Sequence, residues 1–241
     1  MSQLLAENRR RFLGGAAAAG GGLLLSACSG TPAGGDRRAG AAIEKGETEE
    51  VSPAEDLMRE HGILKRVLLI YRECIRRIES KQELNPQALS ASANLIRRFI
   101  EDYHEKLEEE HLFPRFRKAG SLVELVDVLE AQHKRGRDLT ETVLQLSSPA
   151  ALKKAQDLRK LGGALRLFVR MYEPHEARED TVLFPAFRKI VSANEYASLG
   201  EEFEKKEHEL FGEEGFEKNV DLVAGLEKLL GIYDLSQFTP A

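Results

Sequence analysis

The sequence predicts an all-α fold, an up-down four-helix bundle with extra helices at its C-terminal end. Three observations lead there. After residue 50, apolar residues recur at alternating steps of four and three, the spacing that keeps one helix face turned to a bundle core. Tryptophan is absent, and Pro and Gly are sparse after residue 50, so little interrupts long helices. A 15-residue stretch also occurs twice. Residues 104–118 read HEKLEEEHLFPRFRK and residues 175–189 read HEAREDTVLFPAFRK, both fitting H-E-x-x-E-x-x-x-L-F-P-x-F-R-K.

The 241 residues suffice for one sizeable domain or two small ones. A net charge of −5, with acidic and basic residues interspersed, argues against a nucleic-acid partner. Two cysteines, Cys28 and Cys74, are too few for a disulfide framework.

Residues 1–27 read as an export signal. Asn8-Arg9-Arg10-Arg11-Phe12-Leu13-Gly14 resembles the twin-arginine signal, and the Ala/Gly/Leu stretch after it is too short and Gly-rich for a good membrane span. It closes on Leu25-Ser26-Ala27-Cys28, which resembles a bacterial lipobox. The resemblance implies cleavage before Cys28, lipid on its sulfur, and a membrane-anchored protein at the cell envelope. Residues 28–50, rich in Gly, Ala, Thr and charge without apolar periodicity, read as a flexible tether.

Ser52-Pro53-Ala54-Glu55 combines a capping box with proline at the first helical position. The stripe behind it runs Leu57, His61, Leu64, Leu68, Tyr71, Ile75, Ile78. Asn85-Pro86 starts a second helix, with Ala93, Ile96, Ile100, His104, Leu107 or Glu108, and His111 inward, and Pro114 is expected to end or kink it. Ser121 to Glu124 reads as a capping box for a third helix burying Leu122, Val126, Leu129, His133 and Val143. After an irregular opening at Ser148-Pro149, a fourth stripe runs Leu161, Leu165, Phe168, Tyr172, His175, Glu179, Val182, with Pro174 expected to kink it. Ser192 caps a fifth helix to about residue 211, a sixth reaches about Leu230, and the tail reads as irregular. The bundle is thus placed at 51–190 and a helical extension at 191–241.

Four of the six histidines fall one per helix on these inward stripes. His61 and His104 lie 43 residues apart, and His133 and His175 lie 42 apart. With the repeated 15-mer, this reads as a duplicated helical hairpin whose first helix gives a His and whose second gives His and, one turn later, Glu. A core set of His61, His104, Glu108, His133, His175 and Glu179 has metal binding as its use. Left unpaired, such groups cost several kcal/mol to bury. Mixed His/carboxylate ligation suits non-haem iron, with manganese or zinc as alternatives. His111 has Val182 as its counterpart in the second copy and reads as a helix-end residue, and His208 as surface or helix packing. Glu105 and Glu176 recur in both copies and either orient ligands or stand as solvated charge. Tyr172 reads as core packing or as a hydrogen-bond donor to the centre, and Cys74 as a small buried residue.

The order His, then His-x-x-x-Glu with Leu-Phe-Pro, then the same again resembles the hemerythrin-like (HHE cation-binding) family over residues 54–190. The resemblance implies an up-down four-helix bundle holding two iron ions on those six residues. This sequence has Arg137 where oxygen-carrying hemerythrins have a second third-helix histidine, and Glu179 beside the Asp180 that matches their aspartate. The ligand set looks more like the iron- and oxygen-responsive members. The expected function is a di-iron binding protein at the cell envelope that senses, stores or scavenges oxygen, nitric oxide or iron, with a small diatomic or peroxide ligand at the metal. The competing reading is a di-iron enzyme that reduces peroxide or oxidises a small substrate with an external reductant.

Overall fold

The computed structural model describes residues 51–240. The predicted signal peptide, Cys28 and the tether lie outside the described residues. Among the described residues the elements are helices only, and no helix is long and apolar enough to cross a membrane.

Helix α1 spans Pro53–Glu79. The Ser52 side chain accepts from the Glu55 N–H at 3.3 Å, and Pro53 stands in the first turn, where its missing donor is no loss. Helix α2 is one helical path over 86–119, opened by the Asn85 side chain accepting from the Ala88 N–H at 3.0 Å. Helix α3 spans Val123–Leu146, and helix α4 covers 155–190. Helix α5 is Ala193–Phe211, capped by the Ser192 side chain, and helix α6 is Gly215–Leu230. A short 3-10 turn, Leu235–Phe238, follows in the tail.

The prolines do less damage than the sequence suggests. In both copies the Leu closes a π-helical turn and Phe-Pro follows it, Glu108–Leu112 in α2 and Glu179–Leu183 in α4. A proline cannot donate to the carbonyl four residues back, and its ring crowds that carbonyl. Widening the preceding turn relieves both problems, and α-helix resumes with Pro114 or Pro185 in its first turn. Helix α2 therefore runs on to Ala119 rather than ending at Pro114, and α-helix also continues through Pro174. The Ser121 cap is corrected as well. Only three residues link α2 to α3, and this reversal puts Gly120 and Leu122 at φ 63° and 52°. Leu122 therefore takes the N-cap place of α3, without a side-chain cap.

Helix α1 packs on α2 and α4, and α3 packs on the same two, so the four close into a ring with short connections between consecutive members. Leu57, Leu64, Leu68 and Tyr71 of α1, Ile96 and Ile100 of α2, Val126, Leu129 and Val143 of α3, and Leu161, Leu165 and Phe168 of α4 are buried in it. Each such side chain contributes about 1.5–3 kcal/mol. Helices α5 and α6 pack on each other and on α1, and α6 also reaches α2. The extension therefore covers the first hairpin.

Candidate metal centre

All six predicted residues meet in the bundle interior, each 0–4 % exposed. Their pairing crosses between hairpins. His61 and His175 bring Nε2 to 3.4 and 3.1 Å from Glu179 Oε2. His104 and His133 bring Nε2 to 3.7 and 3.4 Å from Glu108 Oε2. Ring centroids lie 4.7 Å apart for His61 and His104, and 5.0 Å for His133 and His175. Side-chain atoms of His133, His175 and Glu179 fall within 4.8 Å of one another, as a metal ion requires.

The outer nitrogen of every imidazole is held by an acceptor. His61 Nδ1 lies 2.7 Å from Asp180 Oδ1, and His133 Nδ1 lies 3.2 Å from Glu109 Oε1. His104 Nδ1 lies 2.7 Å from Glu60 Oε2, and His175 Nδ1 lies 2.9 Å from Gln132 Oε1. Nδ1–H donating to these oxygens leaves the Nε2 lone pair facing inward, the tautomer a metal ligand needs. The four contacts obey the hairpin duplication. The residue before each first-helix His serves the second-helix His of its own hairpin, and the residue after each Glu serves the first-helix His of the other.

The remaining letters of the repeat also have places. Phe113 stacks on His133 at 5.4 Å and Phe184 on His61 at 5.5 Å. Phe116 and Phe187 meet each other at 6.0 Å, and Leu112 and Leu183 are buried. Glu105 and Glu176 are buried beside the centre rather than solvated. Glu105 accepts from the Tyr172 hydroxyl at 2.6 Å and pairs with Arg137 at 2.8 Å, while Glu176 has Lys65 at 4.0 Å.

Charge at the centre is unevenly settled. Burial alone would push the His61 imidazole down, but Asp180 and Glu179 outweigh it and raise it to about 9. Burial and the facing Glu179 push the Glu108 carboxyl up. Glu179 is buried too, yet the His175 and His61 imidazoles hold it well below the usual range. Burial, reinforced by the other imidazoles, pushes His104 down.

His111 stands apart, 3.7 Å from Glu202 and edge-on to Phe203 of α5, and His208 lies on the surface of that helix. Cys74 is buried, which pushes its thiol up to about 12. Sequence reasoning missed Glu60 and Gln132. The signal was present, since each directly precedes the first-helix histidine of its hairpin.

The sequence model of the hemerythrin HHE cation binding domain matches residues 52–148 and again 124–239. The second match runs past residue 190 and takes in α5 and α6, beyond the resemblance read from the sequence. Uncharacterized proteins of Mycobacterium bovis (Mb2018) and Mycobacterium tuberculosis (MT2051 and Rv1995) are each 50% identical over 216 residues, covering 90% of this chain and 84% of theirs. No solved structure matches the chain.

Proposed function

Because the chain belongs to the hemerythrin HHE cation-binding domain family, we propose that His61, His104, Glu108, His133, His175 and Glu179 hold two iron ions and that the protein binds a small ligand there. One observation carries this reading. The buried oxygens of Glu108 and Glu179 and the Nε2 atoms of His104 and His133 have no hydrogen-bond partner, although all four imidazoles are tethered through Nδ1. A self-sufficient polar network would satisfy the inner atoms, because each one left unmade costs about 1–3 kcal/mol. The donor set fits non-haem iron: imidazole nitrogen and carboxylate oxygen, with a carboxylate between each pair of histidines.

Bound iron would supply a Lewis-acidic, redox-active position for oxygen, nitric oxide or peroxide. The chain supplies the rest. Glu60, Asp180, Glu109 and Gln132 fix the ring orientations, and Phe113 and Phe184 cover two of the histidines. With the six side chains 0–4 % exposed, a diatomic or peroxide-sized ligand fits better than a larger substrate. This favours sensing, storage or scavenging over turnover of an organic substrate. The twin-arginine and lipobox resemblances add the location. On this reading the domain sits at the cell envelope, held by lipid on Cys28.

The test is metal content. Protein loaded anaerobically with Fe2+ should retain two irons per chain, and a His104→Ala/His175→Ala variant should lose them. Equal iron in the two would remove the centre. For the location, radiolabelled fatty acid should enter the wild type and not Cys28→Ser.

A further inference from the structure

Among the described residues nine large apolar side chains are exposed, and five of them, Leu222, Leu229, Tyr233, Leu235 and Phe238, fall in α6 and the tail behind it. Scattered singly they would be ordinary surface, but gathered within residues 222–238 they are not. Helix α6 is apolar on two sides. Val223, Ala224, Leu226 and Leu230 are buried as it packs on α1, α2 and α5. Leu222, Gly225 and Leu229 follow one another at steps of three and four, so they share a second stripe, and all three are exposed. That is the spacing of a helix face that packs on another helix. A Cβ on Gly225 would meet nothing within 4 Å, so packing within this chain does not call for glycine there. Inside a helix it costs about 0.5–1 kcal/mol relative to alanine. Its bare backbone lets a second helix come close.

The occupant that fits is α6 of a second copy, antiparallel about a two-fold axis. With the axis passing between positions 225 and 226, Leu222 of one copy faces Leu229 of the other, and the two glycines meet at the crossing. Asp221 and Lys228 are seven residues apart and so share one flank of the stripe. A two-fold perpendicular to the helices keeps that flank on its own side. Asp221 of one copy then stands beside Lys228 of the other, offset by about 3 Å along the helix. Both are exposed, and neither has an ion-pair partner among the described residues, although Lys228 lies over the Tyr233 ring at 4.5 Å. Five side chains about half exposed present on the order of 450 Å² per copy, or about 900 Å² across the two-fold, close to the ~1,000 Å² at which specific interfaces begin. A bilayer suits the face less well. Asp221 and Asp234 match Lys218 and Lys228 in number around it, which leaves no basic excess for anionic lipid.

We propose that the Leu222, Gly225 and Leu229 stripe of α6 docks on itself, joining two copies of this chain in an antiparallel dimer. The metal centre takes no part, so neither proposal depends on the other. The extension then works on both sides, its inner face covering the first hairpin and its outer face pairing with the second copy.

The experiment is sedimentation equilibrium of the full chain, carrying Cys28→Ser so that no lipid contributes. Reversible dimerisation should appear in the micromolar range. Leu229→Glu places a carboxylate against the facing leucine and should weaken it by about a hundredfold or more. Gly225→Ala separates the fold from the interface, since the melting temperature of the monomer should rise while association weakens by about tenfold. Asp221→Lys should also weaken association, and Asp221→Lys/Lys228→Asp should restore it, a rescue that a parallel pair with like residues facing would not give. Circular dichroism checks the fold of each variant. A wild type still monomeric at about 100 μM overturns the proposal. So does a dimer indifferent to both Leu229→Glu and Gly225→Ala. Flotation with phosphatidylcholine/phosphatidylglycerol vesicles tests the other occupant. Vesicle binding that Leu229→Glu abolishes, without a dimer in solution, assigns the face to the bilayer and overturns the self-contact.

Discussion

In the first hairpin Glu60 precedes His61, Lys65 follows it by one turn, and Glu101 stands one turn before His104. In the second, Gln132 precedes His133, Arg137 follows it, and Tyr172 stands one turn before His175. The inward residues of the two hairpins are the same in kind, two histidines and a glutamate each. One layer out, Arg137 joins Glu105 and Glu109 just as Lys65 joins Glu176 and Asp180, so the charge pattern is retained. Solvation is not retained, for the Lys65 side chain is 52 % exposed and that of Arg137 is 23 %. Gly136 replaces Leu64 and leaves space for Tyr172. The difference separates what two like ligand sets demand from what one side of the bundle does alone.

The largest effect should come from the part the hairpins share. Stripping the metal should lower the melting temperature strongly, because the inner atoms lose their partners together. At a thousandfold excess over Kd, a bound ion adds about 4 kcal/mol, which for a domain of this size corresponds to roughly 8–16 °C. Calorimetry of chelated and Fe2+-loaded protein measures it, and coincident midpoints would mean that the metal contributes nothing to the fold.

The next test sets Arg137 against Lys65. Arg137 is half-buried, and removing it leaves the buried Glu105 without its cation, so Arg137→Met should destabilise by about 1–3 kcal/mol. Lys65→Met removes a mostly exposed partner and should cost about 0–1 kcal/mol. Denaturant unfolding of both variants decides. Similar losses would show that the two sides are equivalent beyond the centre after all.

Gly136→Ala probes the same side by packing. A Cβ there would lie 1.9 Å from the Tyr172 hydroxyl and 2.8 Å from its ring carbon Cζ, so Tyr172 must move away from Glu105. Overpacking of this kind costs about 1–3 kcal/mol. The variant should lose that stability, and ultraviolet difference spectra should report a changed tyrosine environment. A neutral Gly136→Ala would mean that the Tyr172 ring is not fixed by its hydrogen bond.

Much of this could be read from the chain. Helical periodicity placed the bundle, because a polar residue at a core position stands out against an apolar stripe, and four histidines did so in register. Duplication paired the hairpins. The residues that hold the rings were harder to see, since Glu60 and Gln132 lie one position off the stripe, and an acidic or amide residue beside a buried one is ordinary on a helix. The π turns were hidden for a different reason: proline announces a disturbed ladder but not whether the helix ends or widens. The packing of α5 and α6 depends on which face of the bundle accepts them, and amphipathic spacing does not specify a partner.

The smallest expected effect is a contrast in pH dependence between Glu101 and its counterpart Tyr172. Glu101 is fully buried with Arg97 3.2 Å away, and burial pushes its carboxyl from 4.5 up to about 7. An acid whose folded pKa is raised holds its proton in the folded state while the unfolded chain releases it. Folding then binds protons between about pH 4.5 and 7, so this group's contribution falls as pH rises through that window and is constant above it. Glu101→Gln removes the ionisation and should therefore gain on the wild type as pH rises. The gain should be on the order of 1–2 kcal/mol at pH 8 relative to pH 4, below the full linkage value because the Arg97 ion pair is partly solvated. Tyr172 behaves differently. Burial and Glu105 push its phenol well up, so it is uncharged throughout this range. Tyr172→Phe should lose the hydrogen bond to Glu105, about 1.5–3 kcal/mol, without a slope from the phenol itself. Urea midpoints at pH 4, 6 and 8 for the three proteins separate the two cases. A Glu101→Gln difference flat with pH would show that Arg97 keeps the carboxylate charged in the folded protein and that burial does not dominate there.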